Sequence, residues 1–143
     1  MKNHKLSKNS EKNLEGVDSR LIQLIKRVLV LSEHDFGIPR DGGKRTAKRQ
    51  NQLFKKVPKV TNADGYIKLS YHQSGFAFDI FIYDEHGACW GCEYKYGEVA
   101  KIFFEEFDLM TKEGIFKENE IFEWGGDFKS IKDLPHFQIR TVK

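Results

Sequence analysis

This chain has no apolar run of the roughly 20 residues that a membrane-spanning helix needs, which excludes a helical integral membrane protein. It shows no export leader either. Met1 to Asn13 is charged and polar, with no compact apolar stretch and cleavage site behind it. The expectation is a chain made in the cytoplasm without stable membrane insertion. It would reach an external target through a separate membrane-disrupting protein or, as a wall-remodelling enzyme, by some other release route. No internal repeat and no second domain boundary is present, and 143 residues suffice for one hydrophobic core. A strong charge of one sign is missing too: the formal net charge is +3. That mild excess suits an anionic polymer, cell wall or nucleic acid, without choosing between them. Cysteine is scarce, and its two residues form Cys89-Trp90-Gly91-Cys92. A C-x-x-C can be redox active or half of a zinc site. No second C-x-x-C or C-x-x-H closes a structural site, even with His86 close by, and no thioredoxin-like βαβ pattern surrounds the pair. Two reduced thiols beside the core are expected.

What the chain does have is phenylalanine, twelve residues of it, so a Phe-rich core is expected. Residues 1–13 read as a flexible basic tail and 14–143 as a single domain. A helix follows Asp18, a cap, with Leu21, Leu24, Ile25, Val28 and Leu29 at helical spacing, and ends near Glu33 to Asp35. A shorter helix spans Thr46 to Phe54. Tyr94 to Thr111 reads as an amphipathic helix with Val99, Ile102, Phe103, Phe107 and Met110 on one face. Phe116 to Trp124 holds a short helix or strand, and Phe137 to Val142 alternates like a final strand. Helices first and scattered strands favour an α+β fold with a small antiparallel sheet flanked by helices.

Asp79 stands alone in the most apolar run, Phe76-Ala77-Phe78-Asp79-Ile80-Phe81-Ile82-Tyr83, which reads as a largely buried strand. An ionised carboxylate there is costly unless it is paired or binds a metal. His72 lies seven residues before it, and Asp133-Leu134-Pro135-His136 lies near the C-terminus. Two histidines and a carboxylate are the donors of a catalytic zinc centre, with water in the fourth position. A further carboxylate must then move the water's proton. Asp133 and Asp127 both qualify by spacing.

Three blocks carry a resemblance. Ser70-Tyr71-His72-Gln73-Ser74-Gly75-Phe76-Ala77-Phe78-Asp79-Ile80 resembles the S-x-H-x-x-G-x-A-x-D-[IV] signature of the zinc D-Ala-D-Ala carboxypeptidase and L-alanyl-D-glutamate endopeptidase family. Trp124-Gly125-Gly126-Asp127-Phe128-Lys129-Ser130 with Asp133-Leu134-Pro135-His136-Phe137 is similar to its second block, with Phe128 where Trp is usual. Gly43-Lys44-Arg45-Thr46 and Gln50-Asn51-Gln52-Leu53-Phe54 are similar to its upstream block. The short form most resembles phage endolysins. The resemblance implies a zinc site in a cleft over the sheet, held by His72, Asp79 and His136. It implies Asp133 as general base, later acid, to zinc-bound water. Arg45 would stabilise the scissile carbonyl's developing charge or hold a peptide carboxylate, and Ser70 and Gln50 would position the peptide. The implied activity is hydrolysis of the peptidoglycan stem peptide at the L-Ala–D-Glu bond, by a monomer. Its alternative is removal of the terminal D-Ala.

Blander readings stand beside these. His72 and His136 taken singly are ordinary polar or core histidines, and Asp79 could pair with a buried Lys or Arg. Arg45 could be a solvated helix-start residue, and His4 and His34 read as surface residues. A catalytically silent wall-binding module would keep the fold, but the full donor set and Asp133 argue against it. The basic stretch Arg40 to Lys56 lacks interleaved aromatics and helix-turn-helix spacing, so no nucleic-acid partner is expected.

Overall fold

Four helices and six strands arise from this pattern in the computed structural model, which describes residues 4–143. Helix α1, Lys8–Asn13, is short and polar; its Ser10 is buried and accepts from the Ile38 N–H at 2.9 Å. The expected flexible tail is therefore helical from Lys8 on, because Ser10 and Asn13 both bond to the Ile38 backbone. Met1 to Asn3 lie outside the described residues. Helix α2, Ser19–Leu31, is capped by Asp18 and buries Leu21, Leu24, Ile25, Val28 and Leu29, the face the spacing predicts. Strand β1 is Phe36–Gly37. Helix α3, Ala47–Phe54, is capped by Thr46.

The apolar run around Asp79 is two strands, not one. Strand β2, Ala77–Asp79, and strand β3, Phe81–Asp84, part at Ile80 and join different sheets. The hydrogen-bond partners change along the run: the Ile80 N–H still donates to Pro135 O, in register with β6, whereas the Asp79 N–H donates to Gly42 O and the Tyr83 N–H to Asp35 O beside β1. Strand β4, Gly87–Cys89, leads into helix α4, Glu93–Lys112. Strands β5, Glu120–Trp124, and β6, His136–Thr141, complete the set. All pairings are antiparallel, in orders β1-β3-β4 and β2-β6-β5. The expected small antiparallel sheet is thus a pair of three-stranded sheets.

Between the sheets and helices α2 and α4 lies the Phe-rich core. Phe78, Phe103 and Phe137 are fully buried, and Phe103 and Phe137 place their ring centroids 4.6 Å apart. Strand alternation does the positioning: Phe78 and Phe137 point into the core, so their neighbours Asp79 and His136 face the other way, into a cleft.

Candidate metal centre

Asp79 and His136 are directly opposite each other in the β2–β6 ladder. Cross-strand partners share a face and lie close, so the register delivers both side chains to one point. His72 arrives from a separate element, a single 3-10 turn at Tyr71–Ser74. Ser70 caps that turn through its side chain, Gln73 bonds back to the Ser70 N–H, and Gly75 ends it at φ +81. A side chain at Gly75 would meet both a strained backbone and the Gly16 carbonyl.

The three donors form a near-equilateral triangle. His72 Nε2 is 3.1 Å from His136 Nδ1, and each lies 3.2 Å from Asp79 Oδ1. The neighbours of each ring decide which nitrogen carries hydrogen. His72 Nδ1 faces Gly43 O at 2.8 Å, an acceptor only, so Nδ1–H donates and Nε2 keeps its lone pair. His136 Nε2 faces Gln138 Oε1 at 2.7 Å, and the Gln138 amide nitrogen donates to Glu123. Nε2–H therefore donates and Nδ1 keeps its lone pair. Two lone pairs and a carboxylate oxygen then converge with no hydrogen left between them. Such a set repels itself unless a cation joins it. A tetrahedral zinc with bonds of about 2.0–2.1 Å would space its donors about 3.3–3.4 Å apart, so the triangle fits such an ion.

Without a cation, burial and the mutual attraction of these groups set their ionisation, and a proton shared with Asp79 then takes the place a metal ion would fill. Burial holds the His72 ring below its usual pKa, in the neutral form that ligates, against the pull of Asp79. Burial alone would raise the Asp79 pKa, but the His72 and His136 rings outweigh it and hold the carboxyl far below the usual range. His136 is drawn upward against burial by its hydrogen bond to Asp79 and by the charges of Asp79 and Asp133.

Asp133 is held beside the triad by two backbone crossings. Its N–H donates to Gly125 O, and Trp124 Nε1 donates to Leu134 O at 2.7 Å. Gly125 is obligatory, since any Cβ there would collide with the Asp133 carbonyl. Burial, then the Asp79 charge, pushes the Asp133 pKa up to about 6. Asp133, His72, Asp79 and His136 all line one cleft of about 960 Å³. Asp127 lines a different hollow, against α4, so of the two candidates only Asp133 shares the cleft with the triad. Phe128 sits beside His136, with ring centroids 5.9 Å apart.

The remaining expected site residues land differently. Arg45 lies in the cleft wall, where its Nη2 donates to Asp79 Oδ2 at 2.9 Å, its Nη1 to Gln50 and its Nε to the Asp41 carbonyl. It is not a solvated helix-start residue. Asp79 thus has both partners at once, the histidines on Oδ1 and an arginine on Oδ2. Gln50 is fully buried behind Arg45 and bonds to Ala63 O and Thr61, so it braces the wall and does not contact a peptide. Ser70 lines the cleft, but its hydroxyl is engaged by the His72 N–H. His4 and His34 are only partly exposed and stand beside Asp35 and Glu98 respectively. Sequence reasoning missed Gly43, Gln138 and Glu123. Gln138 was within reach, since it lies two residues after His136 on the same face of a strand. Gly43 acts through its carbonyl and leaves no side-chain signal. The reduced thiols expected at Cys89 and Cys92 are instead a disulfide. The turn from β4 into α4 brings their Cα atoms to 5.9 Å, and Cys92 stands at the α4 N-terminus.

A mixed α and antiparallel β scaffold that brings two imidazoles, an ionised carboxylate and a second carboxyl of raised pKa into one cleft presents the kind of donor set that metallopeptidases use. The family is then given by comparison: residues 63–139 match the model described as D-alanyl-D-alanine carboxypeptidase, over more than half of the chain, and the chain belongs to that family. It is also similar to peptidoglycan L-alanyl-D-glutamate endopeptidase CwlK of Bacillus subtilis (strain 168), with 32% identity over 102 residues. That match takes in 68% of this chain and 57% of CwlK, so the chain spans little more than half of that relative's length. The crystal structure of the L-Ala D-Glu endopeptidase ChiX of Serratia marcescens superposes with a TM-score of 0.74 at 26% identity. The superposition covers 96% of this chain and 91% of ChiX. Among the described residues no helix is long and apolar enough to cross a membrane.

Proposed function

We propose that this protein is a zinc-dependent peptidoglycan peptidase that cuts the stem peptide at the L-Ala–D-Glu bond. The observation that carries the proposal is the convergence of His72, Asp79 and His136 in the cleft that also holds Asp133. Two similar proteins named for that bond support it. His72, Asp79 and His136 would hold the ion, and two imidazoles with one carboxylate suit catalytic zinc better than the all-oxygen sets of calcium or magnesium. When bound, zinc acts as a Lewis acid that polarises a carbonyl and brings the pKa of water towards neutrality.

The chain's own residues do the rest. Asp133 takes the proton of the attacking water and returns it to the leaving amine nitrogen. A pKa near 6 leaves Asp133 mostly ionised at neutral pH, ready to accept, and still able to give the proton back. Asp79, held ionised, takes no part in proton transfer. Arg45 keeps the Asp79 carboxylate in register. A guanidinium has five N–H groups, and three are engaged within the protein. The others are free to meet negative charge developing on the scissile carbonyl or a peptide carboxylate. Ser70 helps to shape the peptide's path.

Mass spectrometry of peptidoglycan digested with the zinc-loaded protein tests this reading. New N-terminal D-Glu is the expected product. Free D-Ala would make the protein a carboxypeptidase, and wall binding without product would make it a silent module.

A further inference from the structure

The cleft has one wall whose charge the catalytic reading does not use. Residues 40–68 hold nine Lys and Arg against two Asp, a surplus of seven, while the whole chain carries +3. The remainder is therefore net −4, and the charge is concentrated on this segment. Both acidic residues of the segment are already committed. Asp41 pairs with Arg49 at 2.7 Å, and Asp64 accepts the backbone N–H groups of Tyr66, Ile67 and Lys68. Arg40, Lys56 and Lys68 line the cleft, are exposed, and form no close salt bridge among the described residues; Arg40 acts on Asp41 only through its charge. Trp90, Phe128 and Ile131 add an apolar part to the same cleft.

Resting on the peptidase reading, we propose that Arg40, Lys56 and Lys68 form a carboxylate-reading wall. It selects stem peptides with free carboxylates over the same peptides with those groups amidated. Cations on a concave wall that runs on from the triad meet the chain that is being cut. A lipid surface would favour a convex, flat array instead. Low-dielectric cleft walls focus the field of such charges, which draws in an anionic ligand and orients it. An amidated peptide keeps the shape and loses this attraction.

Anisotropy of a fluorescein-labelled stem peptide, free or amidated, tests the proposal with zinc-loaded Asp133→Asn protein, which reads binding apart from cleavage. The free peptide should bind about three- to 150-fold tighter than the amidated one, the sum of three exposed charge pairs. That preference should fade as added salt shortens the screening length below about 10 Å. The triple substitution Arg40→Gln, Lys56→Gln, Lys68→Gln should erase it. Lys101→Gln, Lys112→Gln, Lys117→Gln, an equal change of net charge on and just after α4, should leave it intact. No preference, or a preference that survives the first triple or is lost equally in the second, overturns the proposal. So does tighter binding to phosphatidylglycerol vesicles that displaces the peptide. Wild-type protein then separates the two readings. Cleavage of both peptides without preference sinks this wall alone. Preferential binding without cleavage supports the wall and sinks the peptidase reading.

Discussion

The two walls of the cleft are built in opposite ways. The triad wall is a strand ladder whose reverse side is the Phe core: Asp79 and His136 alternate with Phe78 and Phe137, both fully buried. The segment from Lys55 to Leu69, which supplies Lys56 and Lys68 to the cationic wall, has no helix or strand and exposes Val57 at 95% and Ile67 at 92%. Its order comes from local bonds, such as those of Asp64 and Gln50. The contrast teaches where precision is needed. A metal centre tolerates little displacement of its donors, so they stand on a close-packed layer. A surface that attracts a flexible charged peptide works over longer distance and needs no such backing.

The largest expected effect lies within the triad wall. Asp133→Asn should keep stoichiometric zinc by elemental analysis yet lose about 10²- to 10⁴-fold in kcat, the range for a general acid–base group. Loss of zinc in this variant would make Asp133 part of the metal site and break the division of roles. Next comes the packing contrast. Phe137→Ala, which removes a ring stacked among Phe78, Phe103 and Phe122, should cost about 3–5 kcal/mol in denaturant unfolding. Ile67→Ser, in the segment behind the cationic wall, should stay within about 0.5 kcal/mol. Equal losses would mean that the two walls are not different in kind. Gln138→Leu should weaken zinc affinity about 10- to 100-fold in a chelator competition, because it frees the His136 ring to turn. Unchanged affinity would show that packing alone fixes that ring.

The triad was legible because its residues sit in ordered motifs and because a charge in an apolar run demands a partner. What joins them was not. The Asp79–His136 register links residues far apart in the chain, and no local period encodes it. The break at Ile80 was hidden as well, since hydrophobicity runs on unbroken while the hydrogen-bond partner changes. Helix α1 is polar and short, and its fixing bonds run to the distant Ile38 backbone. Gln50 was read as a peptide contact because a polar residue in a motif suggests one. Burial shows a brace, which serves the same site from behind.

The smallest effect concerns the far end of the packed layer, where Arg20 of α2 clamps Glu120 of β5 at 2.7 Å and Asp18 at 3.0 Å. The Arg20 hydrogen bonds hold the Glu120 pKa below its usual value against burial. At Asp18 burial pushes up, but bonding to Arg20 wins and the pKa is lowered there too. A carboxyl with a depressed folded pKa stabilises the fold above its unfolded pKa, about 4, and that stability is lost as pH falls through the folded pKa. Arg20→Gln should therefore cost about 1–3 kcal/mol at pH 7, as for charged hydrogen bonds. The gap in Tm between variant and wild type should narrow steadily below about pH 4. Zinc affinity at pH 7 should not move, because Glu120 is paired with Thr141, at the opposite end of β6 from His136. A matching fall in zinc affinity would mean that strain at β5 travels through β6 to His136, and that the triad wall is less rigid than its packing implies.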